Sequence, residues 1–132
     1  MRAQTKFLAE MIVYKIMRKK KEIPLYIASY KLLIFLVEAE KNIQKSIKYS
    51  VGQSIKEEAV ELIKNIARAN AVSDNKERYK WIEMAQSNID TIIILQRIVF
   101  ELKSISLKKY SEVSEMVEDI SRQLSGWKKT VV

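Results

Sequence analysis

This sequence predicts an all-α fold, an antiparallel up-down-up-down four-helix bundle, on three observations. First, its 132 residues contain only two glycines, Gly52 and Gly126, and one proline, Pro24, whereas strand-rich chains need such residues at their many turns. Second, apolar residues recur at three- and four-residue spacing, the period of one helical face. Third, the chain is 48% hydrophobic and 30% charged, apolar enough to offset chain entropy and of a length that suits one core.

The elements follow in order. Residues 1–22 form a basic arm that ends in Arg18, Lys19, Lys20 and Lys21, with room for a short amphipathic helix through Phe7, Leu8, Met11, Ile12 and Ile16. The bundle domain is placed at residues 23–132. Its first helix runs from Pro24, a residue suited to a first helical turn, to Lys41. The second spans Ile47 to Ala71 and carries Val51, Ile55, Ala59, Leu62, Ile63 and Ile66 on one stripe. Ser73, Asp74 and Asn75 then supply a break, and Glu77 stands three residues after Asp74 in a capping-box arrangement. The third helix should follow to about Lys103. After Ser104 to Ser106, the residues Tyr110, Val113, Val117, Ile120, Leu124, Trp127 and Val131 keep an unbroken three-four alternation. Short links between long helices favour antiparallel neighbours.

The net charge of +8 points to an anionic partner. Residues 1–24 hold seven basic and two acidic residues, so most of the excess belongs to the arm rather than the bundle. The arm reads either as a solvated extension or as a phosphate-contacting segment. Within the bundle, Lys45, Lys48 and Lys56 fall within about a quarter turn at ~100° per residue, with Gly52 between them. That glycine would admit either a phosphate backbone or a neighbouring helix.

Several chemistries are disfavoured. The absence of cysteine and histidine removes thiolate nucleophiles, imidazole bases and Glu-x-x-His di-iron motifs. No glycine-rich phosphate loop occurs. Glu57, Glu58 and Glu61 lie off the apolar stripe and read as a solvated face, with Glu61 placed to pair with Lys64. Arg97 is placed to pair with Glu101, and Trp127 reads as a core anchor. No catalytic residue, metal or cofactor is expected. The apolar stretch Ile23 to Val37 is interrupted by Lys31 and is too short for a membrane span, and no signal peptide is evident, so the cytoplasm is the expected location.

The third helix carries more apolar surface than one core requires. Ile92, Ile93, Ile94, Leu95, Ile98, Val99 and Phe100 surround most of its middle, and Ile94 points away from Ala85 and Ile92. Helix one shows the same excess. Self-association through Ile94 and Ile98 is the expectation, with a wide single-chain core as the alternative.

Five stretches carry a family resemblance: Lys48-Tyr49-Ser50-Val51-Gly52-Gln53, Arg68-Ala69-Asn70, Leu95-Gln96-Arg97-Ile98, Tyr110, and Leu124-Ser125-Gly126-Trp127. In this order and spacing, over about residues 24 to 129, the chain resembles the four-helix bundle family that includes two groups. One is the accessory variability determinant of diversity-generating retroelements; the other is the proteins encoded in bacterial 23S ribosomal RNA intervening sequences. The resemblance implies a ring-shaped homo-oligomer of five bundles with a positive surface, a reverse transcriptase and RNA or DNA as partners, and support of complementary-DNA synthesis. It also implies contacts through Lys48 and Arg97, to which the residue pattern adds Lys45 and Lys56. The chain departs from the family in having Asn42-Ile43-Gln44 where a proline is common, and in its basic arm. An RNA-binding bundle of the ribosomal-insertion type and a structural adaptor without nucleic-acid binding are the alternatives.

Overall fold

A computed structural model describes residues 23–131; the arm, with its expected helix and Arg18 to Lys21, lies outside the described residues. Six helical pieces follow one another: α1 (Ile23–Glu40), a single-turn α2 (Lys45–Ile47), a π-helical turn (Lys48–Gly52), α3 (Gln53–Ala71), α4 (Asn75–Glu101) and α5 (Leu107–Thr130). The described residues contain no strand.

α1 buries Leu25, Ser29, Leu32, Leu36 and Ala39, a three-four alternation that keeps one stripe on the core. Of its apolar run, Leu32 and Leu36 are buried, Leu33, Ile34 and Phe35 half-buried, and Val37 exposed. The α2 turn, the π turn and α3 form one continuous rod, because Ile47, Lys48, Gly52 and Gln53 all keep right-handed helical backbone angles. Helix two therefore starts at Lys45, two residues before the expected Ile47. Its π turn advances by less than ~100° per residue, so the residues before it are rotated relative to those after. Ser50 Oγ donates to the Ile47 carbonyl there at 3.2 Å.

The next link is pinned by side chains. Asp74 caps α4 by accepting the Glu77 amide at 3.2 Å, as the capping pattern predicts. Arg78 reaches back to the last turn of α3, where its Nε donates to the Ala69 carbonyl at 2.9 Å and its terminal amino group to the Val72 carbonyl. A cation thus satisfies carbonyls that the end of α3 leaves without intrahelical donors.

α4 ends at Glu101, two residues short of expectation. The amide of Lys103 donates to the Phe100 carbonyl and that of Ser104 to the Val99 carbonyl, closing a Schellman motif. Lys103 takes the left-handed position, with φ 59°, where glycine is usual. Ser106 then caps α5 by accepting the Lys109 amide at 3.1 Å. Val113, Val117, Ile120, Leu124, Trp127 and Val131 are all buried, and the half-buried Tyr110 stacks on Phe100 with ring centroids 4.4 Å apart.

Around the core, α1 packs on α3 and α5, and α4 packs on the same two helices, a four-helix bundle with α1 and α4 on one diagonal. Fully buried residues such as Leu32, Leu62, Ile82, Ile92 and Leu124 each contribute roughly 1.5–3 kcal/mol of burial. A polar chain crosses between α3 and α4. Arg68 donates to Asn65 Oδ1 at 2.8 Å, Asn65 to Asn88 Oδ1 at 2.7 Å, and Asn88 to Glu58 at 2.8 Å.

Candidate nucleic-acid interface

The link after α1 sets the position of the basic surface. Gln44 is extended, and its carbonyl accepts the amides of Ile47 and Lys48, so the chain re-enters helix with Lys45 and Lys48 in its first turns. Lys45 is exposed and Lys48 half-buried, and neither forms an ion pair among the described residues. Between Lys48 and the buried Gly52, Tyr49 is 70% exposed. Two cations beside an exposed ring suit a phosphate backbone and a stacked base.

The third lysine of the expected patch is drawn elsewhere. Lys56 Nζ stands 2.7 Å from Glu40 Oε2, whose side chain is only 10% exposed. A carboxylate so placed requires a cation partner, and the intervening π turn rotates Lys45 and Lys48 away from the phase that a uniform α-helix would give. Gly52 is itself buried, and a Cβ there would lie 3.7 Å from Glu40 Cγ, an ordinary packing distance. A side chain as small as alanine would therefore fit at Gly52 against α1, so this packing does not itself require glycine. Glu40, at 7% exposed, is an inward-facing acid on α1 outside the acidic face read at Glu57, Glu58 and Glu61. Glu58, read from the sequence as solvated, is half-buried against Asn88, whereas Glu57 is exposed. Glu61 meets Lys64 at 3.4 Å as expected.

Arg97 meets Glu101 at 3.1 Å with its side chain 72% exposed. Such a surface pair is worth only about 0.3–0.5 kcal/mol, so the guanidinium is cheaply transferred to another anion. Beside it on α4, Ile94 is 61% and Ile98 37% exposed, and Leu102 continues that row at four-residue spacing. A groove of about 310 Å³ lies next to Ile93, walled by Gln96, Val113, Val117 and Arg122. The Oε1 atom of Gln96 is buried, with no hydrogen-bond donor among the described residues.

Other cations are held by aromatic rings. Arg68 stands 5.1 Å from the centre of Trp81, and Lys128 lies 4.9 Å from that of Tyr79. Desolvation pulls the Lys128 pKa down, but hydrogen bonds to Glu83 and Tyr79 outweigh it and hold the ammonium above its ordinary value. Among the described residues no group of three or more acidic side chains is arranged to hold a metal ion. No helix there is long and apolar enough to cross a membrane.

Fold and surface together define a four-helix bundle that, among the described residues, presents lysines outside any ion pair, an exposed tyrosine and an exposed apolar strip on α4. The bAvd-like family model matches residues 25–131, and the chain belongs to that family. The family is of an accessory, non-catalytic type. A search of curated proteins gave no match.

The sequence pattern singles out Lys45 and Lys48 but not Tyr49, which the motif Lys48-Tyr49-Ser50 contains and which the fold leaves exposed beside them. Its place off the apolar stripe of helix two was the signal available. The pairing of Lys56 with Glu40 had no local signal, since the partners lie on different helices.

Proposed function

We propose that this chain is a homo-oligomeric accessory subunit of a retroelement reverse transcriptase, binding that enzyme and its template RNA in a diversity-generating retroelement and contributing no catalytic residue. The observation that carries this reading is the bAvd-like family match over residues 25–131. Lys45 and Lys48, with Tyr49 and the loosely held Arg97, provide the phosphate and base contacts; Lys56 serves mainly the Glu40 pair. The arm residues Arg18 to Lys21 add further cationic contacts. The complex works in the cytoplasm.

In this reading the helices run up-down-up-down. Arg78 on the Ala69 carbonyl supports an antiparallel α3 and α4. The Phe100–Tyr110 stack together with the Lys128–Glu83 pair supports an antiparallel α4 and α5. Copies associate through Ile94 and Ile98 into a ring, with five the family's number. The exposure of Ile94 and Ile98 supports a neighbouring copy covering this face.

The test is mass determination by light scattering, followed by salt titration of binding to structured RNA and to duplex DNA, and co-purification with the reverse transcriptase. An oligomer whose affinity falls steeply with salt and that retains the polymerase is expected. A monomer indifferent to nucleic acid would leave a structural adaptor. RNA binding without a polymerase partner would favour the ribosomal-insertion type.

A further inference from the structure

We propose that the side of α1 facing away from the bundle core is a docking surface for residues 1–22 of the same chain, which return along it as an antiparallel amphipathic helix. The inference stands apart from the nucleic-acid reading, because it rests on apolar surface rather than on cationic contacts.

Among the described residues α1 packs on α3 and α5, and its Leu25, Leu32 and Leu36 belong to the shared core. At ~100° per residue, Ile27, Tyr30, Ile34 and Val37 stand on the opposite side. A helix face left to water does not ordinarily carry four such side chains in succession. Ile27, Tyr30 and Ile34 are nevertheless half-buried, whereas Ile94, which points away from the core on α4, is 61% exposed. The half-buried residues of α1 that pack on the core are Tyr26, Ala28, Leu33 and Phe35, so the cover over Ile27, Tyr30 and Ile34 comes from elsewhere in the chain.

Residues 1–22 suit that place in pattern, length and charge. Leu8, Ile12 and Ile16 recur at four-residue spacing with Phe7 and Met11 beside them, which gives a helix an apolar face. From Leu8 to Ile16 that face is about 12 Å long, and from Ile27 to Val37 the surface of α1 is about 15 Å long, at ~1.5 Å per residue. The segment ends where α1 begins, so Met17 to Glu22 provide a link of ordinary length for reversing the chain. Pro24, in the first turn of α1, lacks the amide with which a helix continuing from the arm would bond the Lys20 carbonyl, and this favours a turn over one long rod. Reversal also orders the charges. Lys31 and Glu38 edge the outward face, and an antiparallel arm brings Glu10 alongside Lys31 and Lys6 alongside Glu38.

Docking holds Arg18 to Lys21 in the turn at the start of α1, about 27 Å along that helix from the end that leads to Lys45 and Lys48. It also occupies the outward side of α1, which leaves α4 to join copies.

Because the sequence has no cysteine, a pair can be introduced to report on the arm. The full-length variant Thr5→Cys with Val37→Cys is treated with a short bismaleimide, and the products are resolved by mass under denaturing conditions. Thr5→Cys with Ser87→Cys, on the exposed side of the diagonally placed α4, is the control. Cross-linking within single chains at least about tenfold faster than in the control is expected, since docking raises the local concentration of one thiol near the other. Adding Leu8→Asp and Ile12→Asp to the first pair should abolish that advantage while circular dichroism shows the bundle still helical. Products that join two chains would assign the face to a second copy and overturn the proposal. Equal rates for the two pairs, or a rate that the aspartates leave unchanged, would overturn it as well.

Discussion

The Lys56 ammonium and the Glu40 carboxylate, 2.7 Å apart, tie the last residue of α1 to the first turn of α3 across the buried Gly52. Neutralising only the lysine, as in Lys56→Met, leaves a largely buried carboxylate with no cation and should cost roughly 1–3 kcal/mol in urea unfolding. The double variant Glu40→Gln with Lys56→Met should recover part of that loss. A single variant as stable as the wild type would show that the pair is idle.

Asn65 is 1% exposed and joins Arg68 to Asn88. Asn65→Ala removes both partners at once and opens a small void between α3 and α4. A loss of roughly 1–3 kcal/mol is expected in thermal or chemical denaturation. No change would mean that water takes over both hydrogen bonds without penalty.

Ile94→Glu combined with Ile98→Glu places two charges on the exposed face of α4. If this face joins copies, light scattering should report a mass near the 15.4 kDa of one chain, with helicity by circular dichroism retained. An unchanged oligomer would move the interface elsewhere on the bundle.

Lys45→Gln with Lys48→Gln should weaken RNA binding uniformly across sequences and lower the slope of log affinity against log salt by roughly 1.4–1.8, the share of two phosphate contacts. Lys56→Gln alone should leave that slope nearly unchanged, because its charge is already matched by Glu40. Equal slopes for the wild type and the double variant would remove Lys45 and Lys48 from the interface.

What the sequence determined by itself was the set of helices and their buried stripes. The run from Val113 to Val131 is buried at every expected position, and Asp74 caps α4 as its spacing to Glu77 predicts. These are local properties: an apolar period of 3.6 and a side chain three residues from an unpaired amide are both written in neighbouring residues. The uncovered face at Ile94 was legible for the same reason, as an excess of apolar residues around one helix.

Only the tertiary structure decided which charges were engaged. Lys56 is 16 residues from Glu40, and Asn88 is 30 from Glu58, so packing of separate helices alone brings each pair together. The π turn at Lys48–Gly52 has no clear mark in the periodicity, and it changes the phase of every residue before it. Local spacing carries no information about meetings between helices, because they depend on how the buried stripes of different helices settle against one another.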